Sequence, residues 1–319
     1  MAQLIRDDID FATYMADTES KQKVRPAREW VEELIRNLGG SVRERRVVLP
    51  WHKTHSLIAF RPGEVTLWAG VNGHGKSLIT GMAMMSIMGQ GDKVCIASFE
   101  MKPSKTLKRM GRQFTGQNDD AAWISDERVL ADFKDLYEQF AIYTDDRLWL
   151  YDRQGTADRK ALMGVIRYAA HELGVSHFVI DSLMKCVSGE DDYNAQKNFV
   201  DELCALARDL DIHVHLVHHL RKLGSESDTP DKADVKGSGS ITDQVDNLLL
   251  VWRNKAKERD AAVGKKIAPD EPDAVLICDK QRNGEWEGRI TLWYDKASQQ
   301  FVGANGGEPI DFTRWPHRE

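Results

Sequence analysis

The chain has 319 residues and a formal charge of −6, with 41% hydrophobic residues, 29% charged residues and four cysteines. That length holds one large domain or two ordinary ones, with a core that needs neither disulfides nor metal, and its acidic balance excludes a protein that wraps nucleic acid with its whole surface. No apolar run reaches the roughly 18 residues of a membrane span, residues 1–10 lack the plan of a signal peptide, and Cys95, Cys186, Cys204 and Cys278 are too scattered for structural zinc or a disulfide framework, so the chain reads as a cytoplasmic protein with no membrane partner.

Residues 1–24 are polar and aperiodic and read as a flexible arm. Residues 25–50 read as a helix and its connection: Pro26 suits a first turn, Val31, Leu34, Ile35 and Leu38 form one stripe, Gly39-Gly40 stops it, and Arg43, Arg45 and Arg46 lead onward. Residues 51–303 read as one domain, with strands at 65–70, 93–100, 148–152, 177–181 and 212–219 alternating with helices near 76–88, 103–143, 160–173 and 195–210. Short apolar strands between helices predict an α/β fold, a mostly parallel sheet covered on both faces. Beyond His219 the texture changes. Residues 221–240 read as a mobile polar loop, 247–252 as a strand, 254–272 as a charged excursion, and 274–302 as antiparallel strands turning at Asn283-Gly284. Residues 304–319 read as a tail.

Gly70-Val71-Asn72-Gly73-His74-Gly75-Lys76-Ser77 has the GxxxxGK[ST] spacing of a phosphate loop (Walker A), and it follows a strand and opens a helix as that motif requires. Glycines let successive backbone N–H groups turn onto phosphates at a helix N-terminus, with Leu78 continuing the turn. Lys76 reaches the β- and γ-phosphates and Ser77 ligates Mg²⁺. Asp181 ends the apolar strand HFVID, the position of a Walker B acid that completes the metal shell. Glu100 is placed as a general base provided its strand and that of Asp181 neighbour the first. His219, ending the fifth strand, is positioned to sense the γ-phosphate.

The ordered set GVNGHGKS, SFEM (98–101), VIDSL (179–183), VHHLRK (217–222), KGSGSITDQVDN (236–247) and KQRNG (280–284) resembles the ring-forming replicative DNA helicases of the DnaB type, relatives of phage primase-helicases and Twinkle, over about residues 60–303. The resemblance implies a RecA-like P-loop NTPase that hydrolyses ATP, dTTP or another nucleoside triphosphate with Mg²⁺. It makes Glu100 the catalytic glutamate, Asp181 the Walker B aspartate, His219 the γ-phosphate sensor, and Gln244 a second polar residue coupling that site to a DNA loop. Lys280 and Arg282 match a basic pair inserted into the neighbouring subunit's site, and Arg253 and Tyr294 match a grip on the base. It further implies a homo-hexamer or heptamer on single-stranded DNA, working with a primase and a DNA polymerase in phage- or plasmid-type replication, and makes the helix at 26–38 an inter-subunit linker.

The implied DNA loop, about 221–237, carries Arg221, Lys222, Lys232 and Lys236 against four acids. Contact is therefore expected from single cations and from backbone such as Gly237 rather than from a basic field. Upstream of residue 25 the sequence offers no room for a primase and no Cys cluster for its zinc, which suggests a stand-alone helicase or an excised piece. Two other readings share the phosphate loop: a RecA-like recombination or mediator ATPase, and an ATP-gated scaffold or loader.

Overall fold

The computed structural model describes residues 3–5, 28, 46–119, 127–187, 192–221, 224–225, 228–237 and 239–314. The helix expected at 26–38, apart from Arg28, lies outside these residues, as do Arg43, Arg45 and Lys222.

Ten strands form one sheet: β1 (Gln3–Ile5), β2 (Val65–Gly70), β3 (Val94–Ser98), β4 (Leu148–Tyr151), β5 (His177–Asp181), β6 (His213–His219), β7 (Asn247–Arg253), β8 (Ala274–Gln281), β9 (Gly288–Asp295) and β10 (Gln300–Val302). Their order is β1-β4-β3-β5-β6-β2-β7-β8-β9-β10. The first seven in that order pair in parallel and the last three are added antiparallel, so the expected mostly parallel sheet with an antiparallel C-terminal region is what forms. Among the described residues the α-helices are α1 (Lys76–Gly89), α2 (Pro103–Thr115), α3 (Glu127–Thr144), α4 (Arg159–Leu173), α5 (Tyr193–Leu210), α6 (Gly239–Gln244) and α7 (Lys255–Ala262).

Every residue of β2 is buried, because helices cover both faces. Val65, Leu67 and Ala69 pack with α4 and α5 through Leu162, Ile166, Phe199 and Leu203, whereas Trp68 packs with α1 and α2 through Ile79, Met82, Met85 and Met110. The two-residue period of the strand thus assigns each side chain to one of two core layers. Helix ends follow local chemistry. The Asp158 carboxylate caps α4 by accepting the Ala161 N–H, Asp192 caps α5 in the same way, and Gly174 and Gly116 end α4 and α2 in the left-handed region.

Four expectations need correction. Gln3–Ile5 is a strand paired with β4 rather than part of a free arm. The helical stretch at 103–143 is two helices, because Gly116 breaks it at φ 69°. The charged excursion at 254–272 contains α7, started by the Asn254 side chain accepting the Lys257 N–H. The tail is anchored: Phe312 is fully buried, and the Gln300 amide exchanges two hydrogen bonds with the backbone of Ile310. Among the described residues no helix is long and apolar enough to cross a membrane.

Candidate nucleotide site

The phosphate loop joins β2 to α1 at the C-terminal edge of the parallel strands. Gly73 and Gly75 take φ values of 78° and 88°, a region open to glycine, and Gly75 is the N-cap of α1. A Cβ at Gly75 would stand 3.0 Å from the Phe301 ring, so packing as well as backbone requires glycine there. Lys76 Nζ donates to the carbonyls of Gly70 (2.8 Å) and Val71 (3.2 Å), which folds the side chain back over the loop. Burial lowers the Lys76 ammonium from its ordinary value, opposed by the charges of Asp181 and Glu100.

Behind the loop stand the acids. Ser77 Oγ donates to Asp181 Oδ2 at 3.3 Å, and Ser182 Oγ donates to Glu100 Oε1 at 3.0 Å. His219 Nε2 lies 3.7 Å from Glu100 Oε1. Burial, then repulsion from Glu100, pushes the Asp181 carboxyl up to about 6, against Lys76, the Ser77 hydroxyl and Arg109. Burial and Lys76 lower the His219 imidazole while Glu100 pulls it up. The strands carrying Glu100 and Asp181 do not neighbour β2 as the sequence reading requires; β6 separates them from it. The acids still reach the loop, because Ser77 in the first turn of α1 spans the gap to Asp181. Among the described residues no three acids, histidines or cysteines cluster to cage a metal. A hydroxyl and one carboxylate fit Mg²⁺, which takes few protein oxygens and completes its shell with water and phosphates.

Asn72, Gly73, Gly75, Lys76, Ser77, Leu78, Glu100, Asp181, His219, Arg253 and Tyr294 line one cavity of about 450 Å³. At its outer end the Arg253 guanidinium lies over the Tyr294 ring at 5.1 Å, and Glu258 accepts from Arg253 Nε. Met101, Arg109 and Gln299 also line it. Sequence reasoning missed all three. Arg109 comes from α2 and faces Asp181 and Tyr294, while burial lowers its guanidinium. Gln299 occupies a turn at φ 58°, its carbonyl held by Gln113 Nε2.

Several expected ligands are absent from the cavity lining. Gly70 lends its carbonyl to Lys76, and His74 Nδ1 accepts the Arg253 N–H, so both brace the loop from behind. Gln244 ends α6, its amide oxygen buried without a hydrogen-bond partner among the described residues. Lys280 Nζ donates to the carbonyls of Thr242, Asp243 and Val245 at 2.8–2.9 Å. Arg282 binds Asp246 and the carbonyls of Asp243 and Gln244.

Strand register shows why these two cations stay away from the phosphate loop of their own chain. Gln281 pairs with Asn247 at the start of β7, whereas Gly70 pairs with Val251. At about 3.3 Å per residue, Arg282 leaves the sheet roughly 15 Å along the strands from Gly70, with two strand spacings added across. An arginine side chain does not close that gap.

The loop at 221–240 is held at its base rather than mobile throughout. The Lys236 N–H donates to the His219 carbonyl (3.0 Å), His218 Nε2–H to the Lys236 carbonyl (2.5 Å), and the Arg221 guanidinium to the Gly237 carbonyl (3.1 Å). Leu220 bridges Val235, and Lys232 stands exposed in a short 3-10 turn.

A GxxxxGK[ST] loop backed by a hydroxyl–carboxylate pair and a facing glutamate, on a sheet of this order, has the arrangement of a P-loop nucleoside triphosphatase of RecA-like fold. The family profile described as DnaB-like helicase C terminal domain matches residues 55–303, and the chain belongs to that family. Two solved structures share the fold. "ATPase Domain of G40P" has a TM-score of 0.71 at 17% identity, covering 90% of this chain and 99% of that one. "The Structure Of A DnaB-Like Replicative Helicase And Its Interactions With Primase" has a TM-score of 0.68 at 16% identity, covering 88% of this chain and 67% of that one. Family and fold support a replicative helicase that hydrolyses nucleoside triphosphate.

Proposed function

We propose that the chain is an ATP-driven replicative DNA helicase that assembles as a ring of six copies, translocates on single-stranded DNA and separates duplex by hydrolysing ATP between neighbouring copies. The observation that carries this reading is the separation of Lys280 and Arg282 from their own phosphate loop. Two cations held at the far end of the sheet, Lys280 half-buried and Arg282 exposed, serve hydrolysis when they reach the cavity of an adjacent chain. An apolar groove between α2 and α3, lined by Leu107, Leu130, Phe133, Tyr137 and Phe140, supports assembly. Its occupant in this reading is the Val31/Leu34/Ile35/Leu38 stripe of the next copy.

In the proposed mechanism the backbone of Asn72–Gly75 and Lys76 hold the β- and γ-phosphates, and Arg253 and Tyr294 clasp the base. Ser77 and Asp181 hold Mg²⁺, which neutralises phosphate charge when bound. Glu100, oriented by the Ser182 hydroxyl, takes the proton of the attacking water, and His219 beside it responds to loss of the γ-phosphate. His219 shares a backbone hydrogen bond with Lys236, so that response passes to a cation proposed to grip DNA phosphate with Arg221, Lys222 and Lys232. Primase and polymerase are the proposed partners of the assembled ring.

The test is ATPase turnover with and without single-stranded DNA for wild type and Glu100→Gln. DNA should stimulate the wild type severalfold, and the variant should bind nucleotide with turnover reduced about 10²–10⁴-fold. Turnover indifferent to DNA would refute the motor and favour an ATP-gated scaffold.

A further inference from the structure

Arg282 is fixed along one edge of its guanidinium. Nη1 donates to Asp246 Oδ1 at 2.7 Å, and Nη2 donates to the carbonyls of Asp243 and Gln244, each at 3.2 Å. Asp246 is itself immobilised. Its side chain is 5% exposed, and its second oxygen, Oδ2, accepts the Val65 N–H at 2.9 Å. The backbone repeats the link, with the Arg282 N–H donating to the Asp246 carbonyl and the Asp246 N–H donating to the Val65 carbonyl. The Arg282 side chain nevertheless remains 41% exposed. Nε–H and the Nη1 hydrogen not turned to Asp246 have no acceptor among the described residues, so two N–H groups of the guanidinium stay open while it is held.

We infer that Asp246 is the positioning residue for Arg282, presetting its guanidinium to meet a phosphate group across the subunit boundary. This rests on the reading of Arg282 as a cation supplied to a neighbour. An arginine that meets phosphate from a flexible stem loses rotamer freedom at that moment, whereas one held beforehand loses little. A planar guanidinium is suited to such an arrangement, because the carboxylate and an incoming phosphate oxygen use different N–H groups, the phosphate meeting Nε–H. Asp246 also anchors to Val65, the first residue of β2, which ends in the phosphate loop. The orientation of the donated cation is therefore tied to the strand that carries the chain's own nucleotide. Lys280, seated on three carbonyls at the end of α6, has no carboxylate of this kind, which leaves Arg282 as the oriented member of the pair.

Subunit mixing separates this role from a structural one. Asp246→Asn retains an oxygen for the Val65 N–H and removes the charge that holds Arg282. Alone, it should cut ATPase turnover at least 10-fold while leaving the Kd of a fluorescent ATP analogue within 2-fold. Mixed with Glu100→Gln chains, which hydrolyse little themselves but carry an intact Asp246–Arg282 pair, turnover per Asp246→Asn chain should recover severalfold. Arg282→Ala mixed with Glu100→Gln should recover likewise. If Arg282→Ala recovers and Asp246→Asn does not, or if Asp246→Asn alone turns over like wild type, the positioning role is overturned. If neither recovers, the trans reading fails and takes this inference with it. Should Asp246→Asn not fold, Asp246→Glu keeps the charge but displaces the carboxylate by one methylene, and the same loss in turnover and recovery on mixing are expected of it.

Discussion

Arg109 enters the nucleotide cavity from the middle of α2, on a helix that also carries Lys105, Lys108 and Arg112. Lys105 and Lys108 are exposed, and Arg112 is tied to the carbonyls of Lys296 and Ala297, whereas Arg109 faces Asp181. A cation half-withdrawn from water beside the phosphate loop contributes about 1.5–3 kcal/mol through charge-assisted hydrogen bonds. Arg109→Ala should therefore raise the Kd for ATP about 10-fold or more in a fluorescence titration; an unchanged Kd removes Arg109 from the site. Gly75→Ala meets both a left-handed φ of 88° and the Phe301 ring, so it should abolish nucleotide binding and lower the melting temperature. At this scale the sequence is informative where chemistry depends on spacing along the chain, as in the phosphate loop. It is silent where a side chain depends on helix rotation, as for Arg109, or on an unusual turn, as for Gln299.

Strand β6 shows how one element serves two ends of the molecule. At its C-terminal end His219 meets Glu100 while His218 and the His219 carbonyl hold Lys236. At its start, His213 and His215 lie in a fully buried ring network with His177. The Trp68 indole N–H donates to His215 Nδ1 (3.2 Å), so His215 must carry its proton on Nε2 and donate it to His177 Nδ1 (3.0 Å). The Thr66 hydroxyl donates to His213 Nε2 (2.8 Å), and His213 Nδ1–H donates to the Arg61 carbonyl (2.7 Å). Protonating His215 sets its Nδ1–H against the Trp68 N–H and breaks that bond, and a protonated His213 needs the Thr66 hydroxyl to turn from donor to acceptor. Burial accordingly lowers His213 to about 4 and His215 well below its usual value. A folded-state value below the unfolded one means the unfolded chain takes up protons first. Stability from these rings is then complete above about pH 6.5 and is lost as pH falls towards 4, at up to about 1.4 kcal/mol per pH unit for each ring. Denaturant melts from pH 7 to 5 should show that fall, and a flat profile would contradict it. The alternation in IHVHLVHH predicts the strand, but not the network, which depends on β2 pairing Thr66 with His215. The same limit explains α6 and the anchored tail. Neither has enough internal periodicity to be read, and both are held by partners distant in sequence.

Across the whole molecule, the sheet sets the phosphate loop and the Lys280–Arg282 pair at opposite ends. The C-terminal ends of β2, β5 and β6 carry the phosphate loop, Asp181 and His219, whereas antiparallel β8 runs back and releases Lys280 and Arg282 at the other end. The parallel class of the sheet follows from apolar strands alternating with helices. The strand order does not, since no local signal says that β6 separates β2 from β5. In the proposed reading, this separation of ends means that one chain holds an incomplete ATPase and that activity belongs to the assembly. In that reading chains unable to associate still bind nucleotide, because one copy supplies the phosphate loop, Lys76 and the Arg253–Tyr294 pair. The direct measurement is turnover per chain as protein concentration rises through the assembly range, with saturating ATP and single-stranded DNA, for wild type and Arg282→Ala. Turnover per chain should climb with concentration to a plateau in the wild type, and remain about 10³-fold lower in the variant at every concentration. A wild-type rate independent of concentration and matched by Arg282→Ala would contradict a site completed by the neighbouring copy.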